Sequence, residues 1–464
     1  MEQGLSLDMS LLRRYDVSGP RYTSYPTALQ FSDEVGEEAY RYAAAVSNEE
    51  LLPRPLSLYV HIPFCRTVCF YCGCNKIITA NYARAETYLA SLEREVRTQA
   101  GLFAADRRVE QLHFGGGTPT YLKDDDLVSV LTAINTAFTV DKGPRREFSI
   151  EIDPRTTTPE RIRLLSELGF NRMSLGVQDF DPQVQVAVNR IQSVEQTRAV
   201  IEAGRQVGFR STNLDLIYGL PKQTVASFSA TLDTVLDMRP ERLAVYNYAH
   251  MPHLFKVQRQ ISAADLPGSE EKLSILETTI RRLLEAGYVY IGLDHFALPS
   301  DELARAQREG TLQRNFQGYS TRARCDLAGL GMSAIGKVGD AYFQNRKDIA
   351  AYQQAVADRG LAVQRGCIMS ADDRLRRDVI MDLMCHSRVR YDDIETRHRI
   401  IFRQYFAQEL ARLQPMVDDG LVEIHRDRIE VTPRGRLLLR NVGMVFDAYI
   451  PRSDDAKRRF SRVI

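Results

Sequence analysis

Four cysteines, Cys65, Cys69, Cys72 and Cys74, stand within ten residues in the stretch HIPFCRTVCFYCGCN. The first three are spaced C-x3-C-x2-C, and the fourth adds C-x-C. Thiols this close suit an iron–sulfur cubane, which is small and needs several sulfurs converging on it. They also suit structural zinc, whose ligands usually come as two separated pairs, or buried or redox-active thiols. Cys325, Cys367 and Cys385 are too scattered to supply a recognisable second pair or a disulfide framework. Three cysteines on one loop would leave one iron of a cubane without a protein ligand. An open metal position can take a substrate or cofactor.

Other residue types with chemical potential recur at similar places. GGGTPT (115–120) lets a ligand approach the backbone, because glycine has no Cβ. Glu151 and Asp153 close the run EFSIEIDP, and Gln178 closes RMSLGVQ. Asp215 lies within STNLDLIYGLP, and Tyr246 to His250 end the run that starts RLAVYNYA.

These residues need a frame. LSLYVHIP (56–63), VEQLHFGGG, the four runs above and YVYIGLDHFA (288–297) are short, apolar and β-rich. Helical patterns separate them; the first carries Tyr88, Leu92 and Val96 at i, i+4 spacing. Alternating strand and helix predicts a parallel sheet with right-handed crossovers. No GxGxxG opens the first unit, so no dinucleotide fold is signalled. Six or seven repeats over about 250 residues fit a full or partial (β/α) barrel, whose active site lies at the C-terminal strand ends. The cysteine loop, the glycine run and the polar residues all fall at that end. The sequence divides into an irregular arm (1–50), a barrel domain (51–364) and a mostly helical C-terminal domain (365–464). The last has a winged-helix pattern, with a hairpin at LVEIHRDRIEVT.

Lys+Arg (61) and Asp+Glu (60) leave a net charge of +1, which argues against nucleic acid as a main partner. No stretch approaches the roughly 20 apolar residues of a membrane span. The N-terminal sequence lacks the apolar core of a signal peptide. The expected location is the cytoplasm, where cysteines stay reduced.

The C-x3-C-x2-C loop after the first strand, with GGGTPT after the second, resembles the radical S-adenosylmethionine enzymes. The likeness narrows with SGPRYTSYPTA, LYVHIPFC, CGCNK, LHFGGGTPTYL, IEIDPR, GVQDF, VNR, NLDLIYGLPKQT, YNYAH, REGTLQRNFQGYST and the terminal FSRVI. Together these blocks resemble the oxygen-independent coproporphyrinogen III oxidase family over nearly the whole chain. The resemblance implies an α/β fold, a partial (β/α)6-type barrel with the N-terminal arm helping to close the active site.

It also implies roles. Cys65, Cys69 and Cys72 would ligate three irons of a 4Fe–4S cluster. The fourth iron would chelate S-adenosylmethionine, held further by Tyr59, Gly116 and Glu151. A second S-adenosylmethionine would lie against Tyr71, Gly117, Thr118, Gln178, Arg190, Asp215, Ala249 and Ile335. Cys74, Tyr59 and Glu151 would lie closest to the chemistry. The substrate implied is coproporphyrinogen III, two of whose propionates become vinyl groups in haem biosynthesis. An electron donor such as a flavodoxin or ferredoxin, a monomeric state and no nucleic-acid or membrane partner complete the expectation. Four substrate carboxylates call for basic partners, and Arg13, Arg14, Arg21 and Arg322, with Tyr22 and Tyr319, are candidates. The alternatives are a haem-binding chaperone of the same fold and a cluster-sensing, DNA-binding regulator.

Overall fold

The computed structural model describes residues 8–322 and 324–450; the FSRVI block lies outside them. Six strands carry the barrel: β1 Leu56–Ile62, β2 Arg108–Gly116, β3 Glu147–Ile152, β4 Arg172–Gln178, β5 Ser211–Tyr218 and β6 Arg242–Asn247. They lie side by side in chain order, each neighbouring pair parallel. β1 is buried at almost every position, as expected of a strand covered on both faces. In β3, β4 and β5, buried apolar positions alternate with partly exposed polar ones. The apolar set shares one core with helices such as Ala83–Ala100, Asp124–Ala137 and Val194–Gln206. The polar set, Ser149, Glu151, Ser174, Gln178, Asn213 and Asp215, falls on the other face.

The run at 288–297 departs from the expected seventh parallel strand. It splits into β7 Val289–Gly292 and β8 His295–Ala297, an antiparallel pair whose second member lies antiparallel to β6. Gly292 (φ +147°) and Leu293 (φ 53°) turn the chain there. At the other side, β9 Asp326–Leu330 pairs in parallel with β1. β10 Ile335–Val338, β11 Ala341–Asn345 and β12 Val363–Ile368 continue antiparallel. Twelve strands therefore form an open path from β7 to β12, a partial barrel, and Thr139–Val140 pairs outside it against β2. β12 spans the 364/365 position at which the sequence reading divides the chain.

The described part of the N-terminal segment, 8–50, is not one irregular arm. Met9–Tyr15 is a helix whose Leu11 and Leu12 enter the C-terminal core with Tyr22 and Tyr25. Glu37–Asn48 is a second helix with two glutamates in its first turn. Its buried Tyr40 meets Phe343 of β11 edge-on and donates to Gln99 at 2.6 Å. The C-terminal part combines helices Ala371–His386, Tyr391–His398, Ala407–Asp418 and Leu439–Val445 with a small antiparallel sheet. That sheet consists of β13 Arg388–Arg390, β14 Val422–Ile424 and β15 Arg428–Val431. Among the described residues, no helix is long and apolar enough to cross a membrane.

Candidate active site

β1 leads straight into the cysteine loop. The loop is closed at its base, where Ile77 N–H donates to Pro63 O (2.7 Å) and Thr79 N–H to Cys65 O (3.1 Å). Its outer side is tied to the segment after β4: Phe70 N–H donates to Val188 O (2.9 Å) and the Asn189 amide to Val68 O (2.7 Å). The glycine run passes close beneath it. Gly117 N–H donates to Ile62 O at 2.8 Å. A Cβ on Gly117 would sit 2.5 Å from Pro63 O, so only glycine fits there.

His61 links the two ligand segments. Its Nε2–H donates to the Asn75 carbonyl (3.0 Å), which leaves Nδ1 to accept from the Tyr59 hydroxyl (3.0 Å). Burial lowers its pKa, so the ring is neutral. The Tyr59 ring stacks on His113 at 5.8 Å, its register neighbour on β2. His113 Nε2 lies 3.2 Å from Glu151 Oε1, and Gly116 N–H donates to Glu151 Oε2 at 3.1 Å. Glu151 is thus aimed by two groups while 43% of its side chain stays exposed.

A cavity of about 470 Å³ opens over these strand ends. It brings together Cys65, Cys69, Cys72 and Cys74 with Tyr71, Gly116, Gly117 and Thr118. Glu151, Gln178, Arg190 and Asp215 line it too. Tyr59, Ala249 and Ile335 do not reach its lining. Tyr59 acts through His61 and His113, Ala249 lies beyond β6, and Ile335 packs beside Phe31 and Tyr342.

The thiols differ in surroundings. Cys65 Sγ lies 3.4 Å from Thr118 Oγ1, and burial pushes its pKa up to about 11. A hydrogen bond from Cys74 draws Cys72 down to about 6, and the same bond raises Cys74. Cys69 is flanked by two guanidinium groups, Arg190 Nη1 at 3.5 Å and Arg155 Nη2 at 3.9 Å. Asp153 holds both, at 3.4 Å to Arg190 and 2.6 Å to Arg155. Asp215 accepts from Ser174 (3.0 Å) and Asn213 (2.8 Å). Burial first, then the charge of Glu151, pushes its pKa up to about 6.

Among the described residues, no three of His, Cys, Asp or Glu converge on a point where a single metal ion would sit. A cubane offers each thiolate its own iron corner, so ligands for it need not converge on one point. Three soft sulfur donors on one loop, with two cations beside one of them, fit such a cluster. Cys65, Cys69 and Cys72 are its candidate ligands.

Of the arginines expected to meet substrate, three are otherwise engaged. Arg13 pairs with Glu270, Arg14 with Asp419, and Arg322 with Glu110 and Glu147. Tyr22 donates to Asp447 and Tyr319 to the Met384 carbonyl. Arg13 and Arg14 make their pairs at the surface, whereas Arg322, Tyr22 and Tyr319 are held within the fold. Sequence reasoning missed His61, His113 and Arg155. The available signal was that His61, His113 and Arg155 sit inside the blocks LYVHIPFC, LHFGGGTPTYL and IEIDPR.

Residues 59–235 match the Radical SAM superfamily, and residues 369–438 match the HemN C-terminal domain. Fold and site together define a radical S-adenosylmethionine enzyme. The chain is 50% identical over 457 residues to the oxygen-independent coproporphyrinogen III oxidase of Pseudomonas aeruginosa, covering 98% of each. It is 49% identical to that of Escherichia coli, over 100% of this chain and 99% of the relative. The solved structure of the Escherichia coli coproporphyrinogen III oxidase HemN, described as a radical SAM enzyme, superimposes with a TM-score of 0.92. That likeness has 48% identity and covers 96% of this chain and 100% of that one. The chain belongs to the oxygen-independent coproporphyrinogen III oxidase family. Its cofactors are those of the radical SAM class, a 4Fe–4S cluster and S-adenosylmethionine. The haem-chaperone alternative finds no support among these relatives.

Proposed function

We propose that this chain converts coproporphyrinogen III to protoporphyrinogen IX without oxygen, in haem biosynthesis. Two propionates each lose one hydrogen atom to a 5′-deoxyadenosyl radical, then carbon dioxide and one electron, which passes to a separate one-electron acceptor, leaving vinyl groups. One observation carries the reading: Cys65, Cys69 and Cys72 share a cavity with Gly116, Thr118 and Glu151, in a chain whose full-length relatives are these oxidases. When bound, the cluster and S-adenosylmethionine supply an electron and the 5′-deoxyadenosyl radical that removes hydrogen.

The chain's own residues bind and aim. Cys65, Cys69 and Cys72 hold three irons. Glu151, fixed by Gly116 and His113, accepts hydrogen bonds from the ammonium or ribose of the first S-adenosylmethionine. Tyr59 braces this set through His61 and His113. Tyr71, Gly117, Thr118, Gln178, Arg190, Asp215, Ala249 and Ile335 take the second S-adenosylmethionine. The first six of these line the cavity, and Ala249 and Ile335 lie outside its lining. Cys74 stays off the cluster and faces the reacting groups. Residues 1–50 help to close the site, and 51–364 and 365–464 act as catalytic and C-terminal domains. The enzyme works as a cytoplasmic monomer, reduced by a flavodoxin or ferredoxin.

The test is anaerobic. The reconstituted chain receives coproporphyrinogen III, S-adenosylmethionine and a reductant. The expected products are protoporphyrinogen IX and two 5′-deoxyadenosines per porphyrinogen. Deoxyadenosine without any decarboxylated tetrapyrrole would overturn the substrate assignment.

A further inference from the structure

Beyond the cysteine-lined cavity lies a second concentration of unmatched polar atoms. Gln313–Asn315 and Gly318–Ser320 form a short hairpin in which Arg314 stands opposite Tyr319. The Arg314 guanidinium lies over the Tyr319 ring at 4.8 Å, and its Nε donates to Tyr22 O at 3.3 Å. The residue is only 6% exposed, yet its Nη1 has no hydrogen-bond partner. Gln317 Nε2, at the hairpin turn, is likewise buried without a partner, as are His295 Nδ1 and Asn247 Oδ1.

A chain of ring contacts leads from Arg314 to the reaction cavity. Tyr246 lines it. The His295 ring lies edge-on to both Tyr246 (5.9 Å) and Tyr319 (5.3 Å), so it bridges cavity wall and hairpin. Burial and the Arg314 charge lower His295 to about 3, so it adds no charge. Arg21 approaches from the N-terminal segment and donates to Asn247 O at 3.4 Å. The nearby carboxylate, Asp294, is bonded to Arg440 at 2.6 Å, and its pKa is held down by the charges of Arg440, Arg21 and Arg314 together, one carboxylate among three cations. Neither Arg314 nor Arg21 forms an ion pair among the described residues. Buried donors left unsatisfied are rare and costly, and buried cations in excess of the carboxylates beside them are costlier still. The economical explanation is an anion that arrives with the ligand. A planar guanidinium fork matches a carboxylate.

We propose that Arg314, backed by Arg21 and Gln317, is the receiver for a substrate carboxylate: one of the two propionates that the reaction leaves intact. Its position favours an anchor over a reacting group. Its contact with the cavity wall runs through Tyr246 on β6, five strands along the sheet from β1, which carries the cysteine loop. A propionate held here fixes the tetrapyrrole while another propionate is presented to the radical. This assignment rests on the decarboxylation proposed above.

The test measures binding as well as turnover. Reconstituted full-length wild type, Arg314→Gln, Arg314→Lys and Arg21→Gln are titrated with coproporphyrin III and with its tetramethyl ester. Arg314→Gln is expected to weaken binding of the acid on the order of 30-fold, the scale of a lost charged hydrogen bond at a buried site. Arg314→Lys, which keeps the charge, should recover part of this, and Arg21→Gln should lose less. The ester should bind all four alike, with cluster iron and S-adenosylmethionine binding unchanged. Equal acid affinity in wild type and Arg314→Gln would overturn the assignment. So would an equal loss for acid and ester, which marks a structural strut to Tyr22. If Arg314→Gln does not fold, undiminished acid binding by Arg21→Gln overturns the paired site. Loss of acid binding in the variant, with a wild type that forms no protoporphyrinogen, keeps this site and removes the decarboxylation reading instead.

Discussion

Arg190 Nη1 lies 3.5 Å from Cys69 Sγ and, through the same nitrogen, 3.4 Å from Asp153 Oδ2. Arg155 reaches the same sulfur and the same carboxylate. One carboxylate thus positions two cations beside one candidate cluster ligand. Positive charge beside a cluster favours its reduced, more negative state.

Replacing Arg155 by Gln is therefore expected to make the cluster harder to reduce, with iron content and bound S-adenosylmethionine unchanged. Arg190→Ala should shift the potential the same way and also lower bound S-adenosylmethionine from two per chain toward one. Potentiometric titration with equilibrium dialysis separates the two effects. An unmoved potential in both variants would refute the electrostatic role.

Glu151→Ala should leave the cluster assembled and weaken S-adenosylmethionine binding by roughly tenfold or more, the scale of a charge-assisted hydrogen bond. Iron analysis beside dialysis checks this. Wild-type affinity in the variant removes Glu151 from the binding set.

A methyl group at Gly117 collides with the Pro63 carbonyl. Gly117→Ala is expected to displace the cysteine loop, lower stability by about 1–3 kcal/mol and reduce reconstituted iron. Thermal unfolding and iron analysis report both. An unchanged melting temperature with full iron would mean that the glycine run does not support the loop.

Asp215 titrates near 6, above the ordinary 3.8 of an aspartate. The sign follows: the folded protein holds this proton more tightly than the unfolded chain, so ionising Asp215 costs stability as pH rises through about 6. Below that value the group is neutral and cannot pair with a cation. S-adenosylmethionine bound beyond one per chain should therefore fall as the pH drops from about 7.5 to 5.5. Asp215→Asn should be low at both ends. A flat profile in wild type would contradict the assignment.

The cysteine spacing and the polar residues at strand ends were legible because both are local patterns. Glu151, Gln178 and Asp215 follow the two-residue alternation of half-exposed strands. The helix Glu37–Asn48 was legible in principle, since EEAYRYAAAV carries an acidic first turn and an alanine-rich run. It was obscured by the Pro- and Tyr-rich stretch before it. The split of 288–297 was not legible, because it depends on positive φ at Gly292 and Leu293 within an apolar run. Nor were the contacts that aim the site. Arg155 and Cys69 are 86 residues apart, and Arg314 and Tyr22 are 292 apart. Such pairs exist only once the sheet has brought distant segments together.

The account turns on how the four thiols are divided. Cys65, Cys69 and Cys72 are assigned to the cluster, and Cys74 is left off it, because a fourth thiolate would occupy the iron that S-adenosylmethionine needs. The direct measurement is iron and sulfide content, with electron paramagnetic resonance of the reduced protein, in Cys72→Ser and Cys74→Ser. The account predicts a lost cluster in the first and a retained 4Fe–4S signal, still perturbed by added S-adenosylmethionine, in the second. Retention in Cys72→Ser with loss in Cys74→Ser would contradict it.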